Sequence, residues 1–148
     1  MTASVKHYMG VVSNKLSGEM GVSAHNSIGA GGMGTQLAET RFPTLNILDA
    51  IWINADPRGG PATSYSAATN AKVIAASTDP VALDRWAAKN ILMPAAKAKG
   101  HKDLSSMDPD NPDPGSFGNW LDNSVNEIRR AGYTVNDEDE MVNVYIID

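Results

Sequence analysis

The residues able to do chemistry fall in three stretches. Lys6-His7 sets an ammonium beside an imidazole, an anion binder next to a group that can act as general acid or base. Asp49 interrupts the apolar run 45–54 (LNILDAIWIN), and a carboxylate in such a run needs a specific contact or a place in a cleft, because burying an unpartnered charge is costly. Gly59-Gly60-Pro61 soon follows, a tight turn that lets a ligand or a backbone approach closely. Ser77-Thr78-Asp79-Pro80 joins a strand-like run to a helix start, where free N–H groups attract anions and strand ends collect ligands. Asp84 lies one turn further on. Lys6, His7, Asp49, Gly59, Gly60, Thr78, Asp79 and Asp84 are therefore the candidate ligand-binding set. The carboxylates favour a cation, a divalent metal with oxygen ligands or sugar hydroxyls, whereas Lys6 favours an anion. Both readings stay open, no residue is assigned a catalytic role, and the metal and cofactor are unassigned. The structural alternative for Thr78 and Asp79 is plain helix capping.

Other motifs are weaker. Gly29-Ala30-Gly31-Gly32-Met33-Gly34 matches the dinucleotide pattern G-x-G-x-x-G, but that site needs a strand before it and a long helix after it. Here the preceding segment is polar and Pro43 cuts the following one short, so a flexible or ligand-covering loop is the better reading. His7, His25 and His101 are scattered, with no pair at the i, i+4 spacing of a helical zinc site. There is no serine elbow and no phosphate-binding P-loop.

The elements that must position these groups are legible from period and punctuation. Residues 2–12 read as a short helix or extended lead-in, and 13–36 as a Ser-, Asn- and Gly-rich loop. A brief helix at 34–41 follows. The runs 45–54 and 71–77 read as strands buried on both faces. Pro80 opens a helix whose apolar positions are Val81, Leu83, Trp86, Ala87 and Ile91, and Pro94 breaks or restarts it. Three Asp- or Asn-Pro steps mark 100–116 as loop. Residues 117–131 form a helix closed by Gly132, and 141–147 (MVNVYII) a last strand.

At 148 residues the chain has the size of one domain and can bury a real core. Its net charge of −5 removes the basic footprint of a nucleic-acid or anionic-membrane binder. With no cysteine there is no disulfide, no thiolate chemistry and no cysteine-ligated iron–sulfur cluster on this chain. No apolar run is long enough to span a bilayer, and MTASVKHYMG lacks the layout of a signal peptide.

Three stretches together carry a family resemblance: Ser4 to Val11, Leu48-Asp49-Ala50-Ile51 with Gly59-Gly60-Pro61, and Ala76-Ser77-Thr78-Asp79-Pro80-Val81-Ala82-Leu83-Asp84. In order and spacing the chain resembles the C-terminal half of the domain of unknown function 362 family, and the segments 107–111 and 121–133 resemble that family's ending. The resemblance implies an α/β fold with a cleft, not a reaction. Members carry a second α/β half upstream, some a cysteine-rich ferredoxin-like segment, and many an export signal, none of which is on this chain. The family's Lys-Asn near the start is Lys6-His7 here.

The expectation is a single α/β domain over 1–148, a mixed sheet of few strands with packed helices and long Gly/Pro-rich loops. A small-molecule or metal-binding cleft at the strand ends is its expected function, and the alternative is a structural or oligomerising subunit or fragment. The expected partners are a further copy or a missing N-terminal half, and a small molecule, with neither nucleic acid nor membrane.

Overall fold

A computed structural model describes residues 3–10, 26–57 and 68–147. The elements are helix α1 (Gly32–Thr40), strand β1 (Asn46–Ile53), strand β2 (Thr69–Ser77), helix α2 (Pro80–Ala87), helix α3 (Met93–Ala98) and helix α4 (Phe117–Arg130). A π-helical stretch, Ala88–Leu92, joins α2 to α3 without a break, and Pro94 sits in the first turn of α3. The fold is α/β, with helices set against a small sheet.

Ile, Leu and Ala alternate well enough along β1 and β2 to give an antiparallel pair, with Asn46 opposite Ser77, Asp49 opposite Ile74 and Ile53 opposite Thr69. Leu48, Ala50 and Ile53 of β1 and Ala71 and Val73 of β2 pack on Trp86, Ala87 and Ile91 of the α2 helix and its π-helical continuation. The register shifts between Ala50 and Trp52, and Lys72 stands in the left-handed region at φ 56°. The other face of the sheet is open: Ile47 is 68% exposed and Ile74 66%.

Both strands were expected to be covered on two faces, and among the described residues both have one face uncovered. The helices explain this. α1 and α4 bury their apolar stripes against each other and the N-terminal segment, with Leu37, Leu121, Val125 and Ile128 at the centre, so only the α2 side of the sheet is covered. The third expected strand, 141–147, also differs. Met141 closes a short 3₁₀ turn and residues 142–147 run on without a ladder, because no strand edge among the described residues lies against them.

The helix expectations hold. Asp79 caps α2, accepting from the amides of Val81 (2.8 Å) and Ala82 (3.0 Å). Ser116 caps α4 by accepting from the amide of Asn119 at 3.1 Å. Gly132, at φ 89°, closes α4 in a Schellman turn: its amide donates to the Arg129 carbonyl and that of Tyr133 to the Ile128 carbonyl. Between α3 and α4, Asp103, Asp108 and Asn111 each accept an amide two residues on, as their turn-forming side chains predict. No helix among the described residues is long and apolar enough to cross a membrane.

The glycine string, read as a loop, is a helix start instead. Residues 28–30 form a 3₁₀ turn, Gly31 reverses the chain at φ 86°, and α1 starts at once and runs for nine residues. A Cβ on Gly34 would stand 2.1 Å from the carbonyl oxygen of Ser124. The glycine thus lets α1 approach the backbone of α4.

Candidate functional site

The most deeply buried charged group among the described residues is Asp84. It lies within α2 and is 2% exposed. Its two oxygens accept the amides of Ser4 (2.7 Å) and Val5 (3.1 Å), roughly eighty residues away in sequence. Burial dominates its acidity and raises its pKa from 3.8 to about 6, while the two backbone hydrogen bonds pull the other way. The carboxylate is thus a clamp on the N-terminal segment. Val5 then plugs the helical core, and a short 3₁₀ turn over His7–Gly10 follows, begun by the His7 amide on the Ser4 carbonyl.

The clamp places this segment along one wall of a cleft of about 380 Å³. Ala3, Ser4, His7 and Tyr8 form that wall; Leu37 of α1, Pro43, and Leu45 to Leu48 at the start of β1 supply the rest. His7 is exposed and meets the Tyr8 ring edge-on at 5.3 Å between centroids. Asn46 is buried, and its amide nitrogen donates to the Ser77 carbonyl at 3.2 Å, which ties the end of β2 to the cleft floor. The cleft therefore sets an imidazole, a phenol, a primary amide and Ser4 among apolar side chains.

Of the candidate set, His7 lines this cleft and Asp84 supports it from beneath. Lys6 is adjacent in the chain and half-buried, outside the lining. Asp79 and Asp84 spend their oxygens on backbone amides. The second oxygen of Asp79 accepts from Asn136 at 2.6 Å, fastening the C-terminal segment to the start of α2. Thr78 is exposed beside that cap, and the Asp79 amide donates to the Ser77 hydroxyl. Asp49 is exposed on β1, outside the cleft lining, where it accepts the Ile51 amide at 3.0 Å. Gly59 and Gly60 lie outside the described residues, as does His25. Among the described residues no group of three or more histidines, aspartates or glutamates is placed to hold a metal ion.

A second polar cluster has no counterpart in the sequence reading. Arg85 and Lys89, one turn apart, face Asp110 and Asp139. The Arg85 guanidinium donates to the Pro109 carbonyl (3.1 Å) and to Asp110 (2.5 Å), and Lys89 meets both aspartates. Partial burial of Lys89 opposes its charge, but the two carboxylates hold its pKa above the usual lysine value. Hydrogen bonding to Lys89 in turn holds Asp110 below the usual carboxylate range. The basic pair at i, i+4 was the available signal; nothing in the sequence said that two distant acidic loops would converge on it. Both cations are matched by anions, so the cluster reads as a fastening of the 108–111 and 136–141 segments to α2.

A family model described as Domain of unknown function (DUF362) matches residues 1–89. No curated protein and no solved structure matches the chain. The matched span contains both ends of the Ser4/Val5–Asp84 clamp and every residue lining the cleft.

Proposed function

The chain belongs to the DUF362 family, and from that premise we propose that it binds a small polar molecule in the cleft between the N-terminal segment and the start of β1. One observation carries this reading. A fully buried carboxylate is an expensive way to hold two amides, and here it fixes the short segment that carries His7 and Tyr8. Concave sites with a few convergent polar groups on an apolar lining suit small ligands. The His7 imidazole donates a hydrogen bond to an anionic group, the Tyr8 hydroxyl donates or accepts, and the apolar walls of Leu37, Pro43 and Leu45 shield the remainder. No reaction is assigned to the site.

The test is amide chemical-shift mapping on the isotopically labelled chain with acetate, inorganic phosphate, glucose and Mg²⁺ as separate probes. The reading expects saturable shifts at Ser4, His7, Tyr8 and Asn46 with one anionic probe, weakened in His7→Ala. If all four probes leave those amides unmoved, or if His7→Ala binds as tightly as the parent chain, the reading fails.

A further inference from the structure

The segment after Met141 reads as strand in sequence and has no ladder in the structure. Its residues are those that favour strands, yet Val144 is 48% exposed, Tyr145 88%, Ile146 80% and Ile147 95%. So many large apolar side chains standing together in water mark a surface that is covered in the working protein. The root of the segment is fixed: Asp139 is held by Lys89 and Arg85, and Val142 and Val144 line a hollow beside Trp86 on α2. The rest projects from an anchored point.

The same chain carries the complementary element. Its sheet has two strands only, so β1 and β2 each offer one unpaired edge among the described residues, and Ile47 and Ile74 leave its outer face apolar. An open edge is a template for a strand from another molecule. We propose that residues 142–147 of a second copy of this chain add to this sheet as a third strand, in a two-fold exchange where each copy gives its tail and receives the other's. Donor and acceptor sit on one sequence, so the contact closes as a dimer, each tail used once and each sheet extended once. The inference uses neither His7 nor the clamp, although Ile47 of the outer face also lines the cleft.

Light scattering behind size exclusion, over a dilution series, tests this with three chains. These are the 148-residue chain, the same chain ended at Met141, and Ile146→Pro. Proline keeps the tail apolar but removes an amide from the ladder. Truncation at Met141 leaves the Asp139–Lys89 and Asp79–Asn136 contacts in place, and circular dichroism checks that the helices persist. The expected result is a dimer for the full chain and monomers of unchanged helicity for both variants. A full chain that stays monomeric throughout overturns the proposal, including one whose tail amides are protected from exchange because the tail docks on its own sheet. Variants that remain dimeric also overturn it.

Discussion

Asp84 makes a measurable claim about pH. Opposed influences compete on its carboxyl: burial raises the pKa, and the amides of Ser4 and Val5, with smaller help from the Ser4 hydroxyl and the N-terminal charge, favour the charged form and lower it. Burial wins, and the group titrates near pH 6 in the folded chain against 3.8 when exposed. A carboxyl whose folded pKa lies above its unfolded value contributes stability that is fully present below the unfolded pKa and is lost as pH rises through the folded one. At 1.36 kcal/mol per unit the full shift is worth about 3 kcal/mol, of which about 2 kcal/mol is lost between pH 4 and pH 7, because the unfolded carboxyl is already more than half ionised at pH 4. Asp84→Asn removes the titration while keeping the size and one acceptor oxygen. The assay is urea unfolding of both chains at half-unit steps from pH 4 to pH 7. Asp103, Asp110 and Asp137 are held low by their partners and titrate below this window, and Asp122, raised by burial, is common to both chains. The stability of the parent chain minus that of Asp84→Asn should therefore fall by about 2 kcal/mol across the window. The carboxyl carbon of Asp84 should titrate near pH 6 together with the amides of Ser4 and Val5. A flat difference curve, or a midpoint at or below 3.8, would refute the reasoning, because the two amides would then outweigh burial.

Two further substitutions test the supports of the site. Gly34→Ala sets a methyl 2.1 Å from the Ser124 carbonyl, so α1 and α4 must separate, and thermal unfolding should show a loss on the order of 1–3 kcal/mol; an unchanged midpoint would mean the helices do not approach this closely. Asp79→Ala removes the cap of α2 and the Asn136 anchor together, an expected loss of about 2 kcal/mol in urea unfolding with faster exchange at the Asn136 amide; loss of ligand affinity without loss of stability would instead make Asp79 a binding residue.

Local chemistry was readable from the sequence and distant pairing was not. Thr78-Asp79-Pro80 announced a helix start and Asp79 does cap it, since capping depends on three adjacent residues. Gly132 announced a helix end for the same reason. That Asp84 would face the amides of Ser4 and Val5 cannot be seen in periodicity, because a carboxylate at that helical position fits solvent as well as it fits a partner eighty residues upstream. The strands show the complementary limit. An apolar run such as 45–54 reads as buried on both faces, and whether a second layer arrives to cover it depends on where α1 and α4 go. They go to each other, for a reason present in the sequence but mistaken for a loop: the glycines at 31 and 34 are spaced to admit a neighbouring helix.

The two carboxylates of α2 also fix an order of events during synthesis. Asp84 joins residues 4 and 5 to α2, and Asp79 joins residue 136 to the same helix five positions earlier. As the chain leaves the ribosome, the β1–β2 hairpin and α2 can assemble from neighbours close in sequence, the contacts that close fastest. Residues 4 and 5 emerge before α2, yet their amides must wait for it to find their acceptor. The α1–α4 contact must wait longer still, for Ser124. The His7 wall of the cleft is therefore set only after α2 has been translated, and a nascent chain halted before residue 84 carries that wall unfastened.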